Sequence, residues 1–329
     1  MTTHTPQEAP HFTKELLIDA MRHLSGDFAA SVSGEASDDR ARSRLEHARR
    51  IGLHTMAAEA IAAMEQATKD VRGLVWPGGL DQRYLGLVGV VETLARISTD
   101  LLPHDARTAH LTDLAPIMHQ ALVASGSRLR AATAQRLKGL CVVIDPTMSK
   151  DRPCATIAEQ ALAGGAVAIQ LRCPPSEVAV AEPVRDLCYA AGAVLLIEDR
   201  ADVAAAVGAD GVRLPEQGMP VEAVRRAIDA WRIVGTSHAT VAGVREGTGA
   251  GADFVAIDVS QGLDGLRLAR QAMATDGPPL IAYRGITTAN AGEVARAGAD
   301  GFCVTTAVTE ASDPKAAAAA LVKAFAEGR

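Results

Sequence analysis

Gly208-Ala209-Asp210-Gly211-Val212-Arg213-Leu214 has two counterparts further along the chain, Gly251-Ala252-Asp253-Phe254-Val255-Ala256-Ile257 and Gly298-Ala299-Asp300-Gly301-Phe302-Cys303-Val304. Each copy ends an alanine-rich helical stretch and opens a short β-rich run. The glycine is suited to a left-handed C′ cap, and the small residues after it let the chain turn tightly into a strand. Working outward, the same rhythm runs from Leu140 to the C-terminus. Strands are predicted over Leu140–Asp145, Val167–Arg172, Val194–Asp199, Gly211–Leu214, Arg232–Ser237, Phe254–Asp258, Leu280–Arg284 and Gly301–Thr306. Their starts lie roughly 17 to 27 residues apart, the pace of a compact βα unit. Eight such units with continuous Val/Ile/Leu strands predict a closed (βα)8 TIM barrel over 140–329, with an open doubly wound sheet as the alternative.

Residues 1–136 read differently. Phe12, Leu16, Leu17, Met21, Leu24 and Phe28 recur at helical spacing. Further helices are expected over Asp39–Val71, about Gln82–Leu101 and about Thr112–Arg136, broken by Gly73–Gly79. The expectation is a polar tail over 1–10 and an all-α, four-helix bundle over 11–136.

Composition narrows the function. The 329 residues are 48 % hydrophobic and 22 % charged, with a formal net charge of −6. That balance, with 3 % aromatics, argues against nucleic-acid and anionic-membrane binding. No apolar run approaches the length of a membrane span, and Met1–Pro10 lacks the apolar core of a signal peptide. Cys141, Cys154, Cys173, Cys188 and Cys303 form no C-x-x-C pair, which fits a reducing cytoplasm rather than a disulfide framework.

In a barrel of this kind the site lies where strands end. The predicted ends are Asp145, Gln170 with Arg172, Glu198 with Asp199, Arg213, Ser237 with His238, Asp258, Tyr283 with Arg284, and Thr305 with Thr306. Carboxylates and guanidiniums together suit a charged small ligand. Arg284-Gly285-Ile286-Thr287 and Thr305-Thr306-Ala307 fall where barrels often hold phosphate, and Asp313-Pro314 is expected to cap the last helix.

The run Gly164-Gly165-Ala166-Val167-Ala168-Ile169-Gln170-Leu171-Arg172 resembles the second-strand motif of thiamine-phosphate synthases and their TenI-type tautomerase relatives. Val212-Arg213-Leu214-Pro215, Val234-Gly235-Thr236-Ser237, Gly251-Ala252-Asp253-Phe254-Val255, Gly285-Ile286-Thr287 with Asn290, and Gly298-Ala299-Asp300-Gly301 follow in the family's order. The resemblance covers about 140–325 and implies a reaction. Such enzymes join an aminopyrimidine pyrophosphate to a thiazole phosphate and release pyrophosphate, with Mg²⁺ neutralising the leaving group.

Carried over residue by residue, Gln170 and Arg172 would hold pyrophosphate and pyrimidine, and Ser237 would contact the pyrophosphate. Asp199 would sit at the metal position with Glu198 beside it, and Gly285, Thr305 and Thr306 would hold the thiazole phosphate. The departures are also specific. Pro174 stands where the family has a lysine, Glu198 where it has an asparagine, and Gly218 where it has a second metal aspartate. Val259–Asp264 replaces a longer loop, and Tyr283-Arg284 stands where the family prefers glycine. These losses predict weaker handling of pyrophosphate, with Arg213 and Arg284 as substitute cations.

The tautomerase alternative needs a base near the end of strand five, where His238 lies. The other eight histidines fall within 1–136 and read as solvent-facing or hydrogen-bonded. A third reading is a non-catalytic barrel that binds a small phosphorylated heterocycle, with the helical half binding a protein partner or a second copy.

Overall fold

A computed structural model of the chain describes residues 123, 126–148, 152–172 and 178–329. The expected tail and all but the last turns of the helical region, together with Cys173 and Pro174, lie outside the described residues. Two compact units divide the chain at Ser127/Arg128. The second holds the barrel and also the helical residues 128–135 that precede it.

Eight parallel strands close on themselves in sequence order: β1 (Leu140–Ile144), β2 (Ala168–Leu171), β3 (Val194–Glu198), β4 (Gly211–Leu214), β5 (Ile233–His238), β6 (Phe254–Asp258), β7 (Leu280–Tyr283) and β8 (Gly301–Val304). The ring shuts through the β8–β1 ladder, where Cys141 pairs with Cys303. The open-sheet alternative is thereby excluded. Helices α1 (Cys154–Ala163), α2 (Val178–Ala191), α3 (Ala201–Val207), α4 (Val221–Ala227), α5 (Val241–Gly249), α6 (Asp264–Ala272) and α7 (Ala291–Arg296) follow the first seven strands. After β8 come a four-residue helix α8 (Thr306–Thr309) and α9 (Pro314–Ala326). Asp313 caps α9 as expected, its carboxylate accepting from Ala316 N with Pro314 in the first turn.

Alternation along the strands sorts the core into two clusters. Outward side chains such as Val142, Ile169, Leu195, Ile197, Val234, Val255 and Ile257 pack against the helices in the larger one. Inward side chains Cys141, Val143, Ala168, Val194, Leu196, Ile233, Phe254, Ala256, Ile281 and Cys303 fill the barrel, with Ala134 and Leu137 joining them. Gly235 is inward too, and a Cβ there would lie 2.0 Å from Phe254 Cζ, so the missing side chain makes room for the phenyl ring.

The Gly-Ala-Asp repeats have a structural reason beyond their glycines. Gly208, Gly251 and Gly298 have φ of 73°, 80° and 101°, the left-handed turn expected of the repeat. Each following aspartate makes a reciprocal pair with the preceding strand. Asp210 donates its N–H to Leu195 O and accepts from Leu195 N; Asp253 does so with Val234, and Asp300 with Leu280. Strands β4, β6 and β8 are thus each pinned to their neighbour at the end opposite the site.

Candidate functional site

Continuing the same alternation toward the strand C-termini brings Asp145, Gln170 and Arg172, Glu198, Arg213, Ser237, Asp258, Tyr283 and Thr305 to the inner side of the barrel mouth. The mouth encloses a cavity of about 990 Å3, lined by Arg172, Glu198, Arg213, Ser237, Tyr283, Arg284, Gly285, Thr305 and Thr306 among others. Two of its polar groups are deeply buried, Gln170 at 1 % and Arg213 at 6 % exposure. An apolar strand run therefore ends in an ordered polar floor.

One chain of hydrogen bonds crosses that floor. Arg213 Nε donates to Ser237 Oγ at 2.7 Å and its Nη1 to Gln170 Oε1 at 3.0 Å. Gln170 Nε2 then donates to Glu198 Oε2 at 2.7 Å, and Arg172 Nε donates to the same oxygen at 2.8 Å. Arg172 also lies 3.5 Å from Asp145. Hydrogen bonding to Glu198 raises the Arg172 pKa above its usual value. Burial alone would raise Asp145, but its bonds from Thr147 and the nearby Arg172 prevail and hold its carboxyl below the ordinary range.

The β7 side of the mouth carries a second pair. Arg284 Nη1 donates to Asp258 Oδ2 at 2.8 Å. Burial pushes Asp258 up, yet the bonds from Ser260 and Arg284 outweigh it and the net shift is downward. The Tyr283 ring is contacted by two guanidiniums, its centroid 4.5 Å from Arg213 Cζ and 5.5 Å from Arg284 Cζ. Burial raises the phenol pKa, so Tyr283 stays a neutral platform. Behind it, Asn290 braces the next loop, accepting from Thr287 N and donating to Gly285 O, both at 2.8 Å. That is the physical content of the Gly-Ile-Thr…Asn spacing.

His238 is placed elsewhere. It shares its strand face with Thr236, to which its Nε2 is hydrogen-bonded at 2.9 Å. Its ring lies against α5, where a Cβ on Gly243 would be 2.7 Å from Nδ1 and one on Gly247 2.6 Å from Nε2. The side chain is outside the cavity lining, and burial lowers its pKa. A catalytic base expected at His238 would have to reach the mouth from the outer face of the barrel. Adjacent strand residues point to opposite faces, so Ser237 entering the mouth takes His238 out of it.

Asp199 is exposed at φ 58°, its N–H donating to Arg213 O at 3.0 Å. Its Oδ1 lies 3.2 Å from where a Cβ on Gly218 would sit, so the two positions implied for metal carboxylates are neighbours in space, with one of them empty of a side chain. Glu198, the other candidate ligand, already accepts from Gln170 and Arg172 through one oxygen. Among the described residues no group of three His, Cys, Asp or Glu side chains is arranged to hold a metal. Mg²⁺ takes one or two carboxylates beside substrate phosphates and water, so Asp199 would be this chain's carboxylate for such an ion, with Gly218 offering none.

Sequence reasoning did not single out Met148 or Glu310, which also line the cavity. Met148 ends a three-residue 3-10 helix after β1 and Glu310 follows α8, both beyond the strand ends, where no periodicity marks direction. Among the described residues the four cysteines Cys141, Cys154, Cys188 and Cys303 are buried free thiols, and no helix is long and apolar enough to cross a membrane.

A closed parallel barrel whose polar mouth is lined by three arginines and three glutamates, with a braced loop after β7, is the architecture of a barrel with a small-molecule site at its C-terminal face. The comparisons make this specific. The chain belongs to the thiamine monophosphate synthase family, whose model matches residues 140–308. It is 38 % identical over 208 residues to the thiamine-phosphate synthase of Methanoculleus marisnigri, covering 58 % of this chain and 98 % of that one. With the thiamine-phosphate synthase of Chloroflexus aurantiacus the identity is 37 % over 195 residues, covering 54 % of this chain and 88 % of the relative. Among solved structures, a thiamine phosphate pyrophosphorylase from Pyrococcus furiosus superposes with a TM-score of 0.54 at 32 % identity, covering 59 % of this chain and 98 % of that chain.

Proposed function

We propose that the barrel mouth binds an aminopyrimidine pyrophosphate and a thiazole phosphate and joins them to thiamine phosphate, releasing pyrophosphate. The observation that carries this reading is that one cavity of about 990 Å3 is lined by both groups of residues the reaction needs. Arg172, Arg213 and Ser237 come from the ends of β2, β4 and β5, and Gly285, Thr305 and Thr306 from the segments that follow β7 and β8. Leaving-group departure generates a pyrimidine cation, so the protein's part is positioning and electrostatics rather than proton transfer. That agrees with a mouth whose titratable groups are mostly fixed in ion pairs.

Gln170 is held from both sides, its carbonyl by Arg213 and its amide by Glu198. Buried at 1 % exposure and outside the cavity lining, it therefore positions Arg213 and Glu198 rather than touching the ligand. Arg172 stands over Asp145 and Glu198 with 44 % of its side chain exposed, available to an arriving phosphate. Thr305 and Thr306 offer hydroxyls and amides to the second phosphate. Thiazole isomerisation would need a base in the mouth, and His238 on the outer face offers none.

Glu198 tied down and Gly218 in the second carboxylate position favour a slower enzyme, and in the limit a binding protein without turnover. Purified full-length chain supplied with aminopyrimidine pyrophosphate, thiazole phosphate and Mg²⁺ tests this by chromatographic detection of thiamine phosphate. Product formed at a rate that falls on Thr306→Val substitution is the expected result. No product, alongside saturable binding of thiazole phosphate by calorimetry, would overturn the synthase reading in favour of the binding protein.

A further inference from the structure

The floor of the mouth holds a cation without a counter-charge. Arg213 is 6 % exposed, and its hydrogen bonds go to neutral oxygens, Ser237 Oγ at 2.7 Å and Gln170 Oε1 at 3.0 Å. Among the described residues no carboxylate lies within ion-pair distance of it. The other two arginines of the mouth are paired, Arg172 with Glu198 and Asp145, and Arg284 with Asp258. A guanidinium stays charged at any pH a fold survives. Removing such a group from water with no opposing charge is costly, and the cost is offset when an anion arrives.

Arg213 lines the cavity, beside Ser237. Its plane is fixed by the Tyr283 ring 4.5 Å from Cζ and by the two hydrogen bonds. Of its five N–H donors those bonds use two, and the rest remain for a ligand. Little side-chain freedom is left to lose on binding. The rim carboxylates Glu216 and Glu310 line the same cavity, so an anion is favoured at the arginine floor and disfavoured at that rim. Of the two carboxylate positions implied for a divalent cation, Asp199 is present and exposed while Gly218 carries no side chain, and Glu198 is already bonded to Gln170 and Arg172, so the carboxylate share of diphosphate neutralisation is reduced.

We propose that Arg213 is the fixed cation for a diphosphate group, neutralising it by guanidinium contact where a carboxylate-held divalent cation would otherwise do so. This rests on the synthase reading for the identity of the diphosphate, the pyrophosphate end of the pyrimidine substrate. No bond is made or broken by Arg213 itself. When the carbon–oxygen bond to the diphosphate breaks, the electron pair leaves with the pyrophosphate, and Arg213 stabilises that charge.

The test is calorimetric titration of the full chain with inorganic pyrophosphate, once with EDTA and once with Mg²⁺. Saturable binding in EDTA, within about tenfold of the affinity with Mg²⁺, is expected. Arg213→Gln should weaken binding in EDTA by about 10- to 100-fold without lowering the melting temperature of the unliganded protein, because it removes an uncompensated buried charge. If Arg213→Gln does not fold, Arg213→Lys decides, keeping the charge but losing the planar fork, with an expected loss of about tenfold. Pyrophosphate binding that requires Mg²⁺, or that is unchanged in the variant, overturns the assignment. Thiamine phosphate formation in the same preparation reports separately. Turnover with Mg²⁺-dependent pyrophosphate binding sinks the role of Arg213 and leaves the synthase reading standing. Arg213-dependent binding without turnover does the reverse.

Discussion

Arg284 has φ of 66°, and Gly285 after it φ of 68°, so two consecutive residues at the end of β7 are left-handed. A side chain in that region costs on the order of 1 kcal/mol. What holds Arg284 there is its bond to Asp258 and its stacking on Tyr283, both at an exposed position, where an ion pair is worth about 0–1 kcal/mol. Arg284→Gly is therefore expected to leave unfolding free energy within about 1 kcal/mol of the parent in a denaturant titration. Thiazole phosphate affinity should still fall, since a cation beside Gly285 is lost; a destabilisation of several kcal/mol would mean the arginine braces the loop. His238 gives a second prediction at this scale. Burial lowers its folded pKa below the usual 6.5, so the unfolded chain takes up a proton first as pH falls. The neutral form favours folding fully above about pH 6.5, and that contribution is lost as pH drops from there toward the lower folded value, by at most about 1.4 kcal/mol per pH unit. Melting curves from pH 7.5 to 5 should show a shallower decline for His238→Asn than for the parent, with pyrophosphate affinity unchanged; equal slopes would remove the imidazole from the account. Ser237 and His238 also show where sequence reading stops. Both were legible as strand-end residues, but β5 is apolar or small on both faces and so carries no mark of which neighbour points inward.

At the scale of elements, the repeated Gly-Ala-Asp was legible as a rhythm, and its boundaries matched the strands within a residue or two because glycine and β-branched runs act locally. Its aspartates carried no reading of their own, because their role comes from pairing across strands, which no local pattern encodes. Asp253 is the most heavily used. It accepts from Val234 N, is ion-paired to Arg225 on α4, and accepts from Arg130 Nε at 3.2 Å from the helix over residues 126–135. Its side chain is 13 % exposed, so screening is partial. Asp253→Ala would leave two guanidiniums and one strand N–H without this partner, and is expected to cost about 2–4 kcal/mol in a urea titration. Asp300 has one arginine partner and is 26 % exposed, so Asp300→Ala should cost less. A reversed order would place the weight of the fold on the β7–β8 edge instead. The candidate site was legible to the same degree: strand ends named the polar residues, while the hydrogen bonds linking Arg213 through Gln170 to Glu198 join positions up to 43 residues apart and could not be read from spacing.

For the molecule as a whole, the informative boundary is where the barrel begins. Its first strand starts at Leu140, yet the compact unit begins at Arg128. The intervening residues belong to the barrel energetically. Ala134 and Leu137, each 2 % exposed, join the inward cluster with Phe254 and Ile233, and Arg130 bonds Asp253. A barrel cut at Leu140 would expose that cluster from the end opposite the site. Removing a buried leucine costs about 2–5 kcal/mol, and a part-buried ion pair adds to it. The sum, about 2–6 kcal/mol, reaches the lower end of the whole stability of an ordinary domain. Fragments starting at Gly126 and at Leu140 and both ending at Arg329 separate the two boundaries. The longer should unfold cooperatively on heating and retain pyrophosphate binding. The shorter should melt lower by about 4–24 °C or fail to fold. Equal melting temperatures would show that the barrel is closed by its strands alone, and that the preceding helix only rests on it.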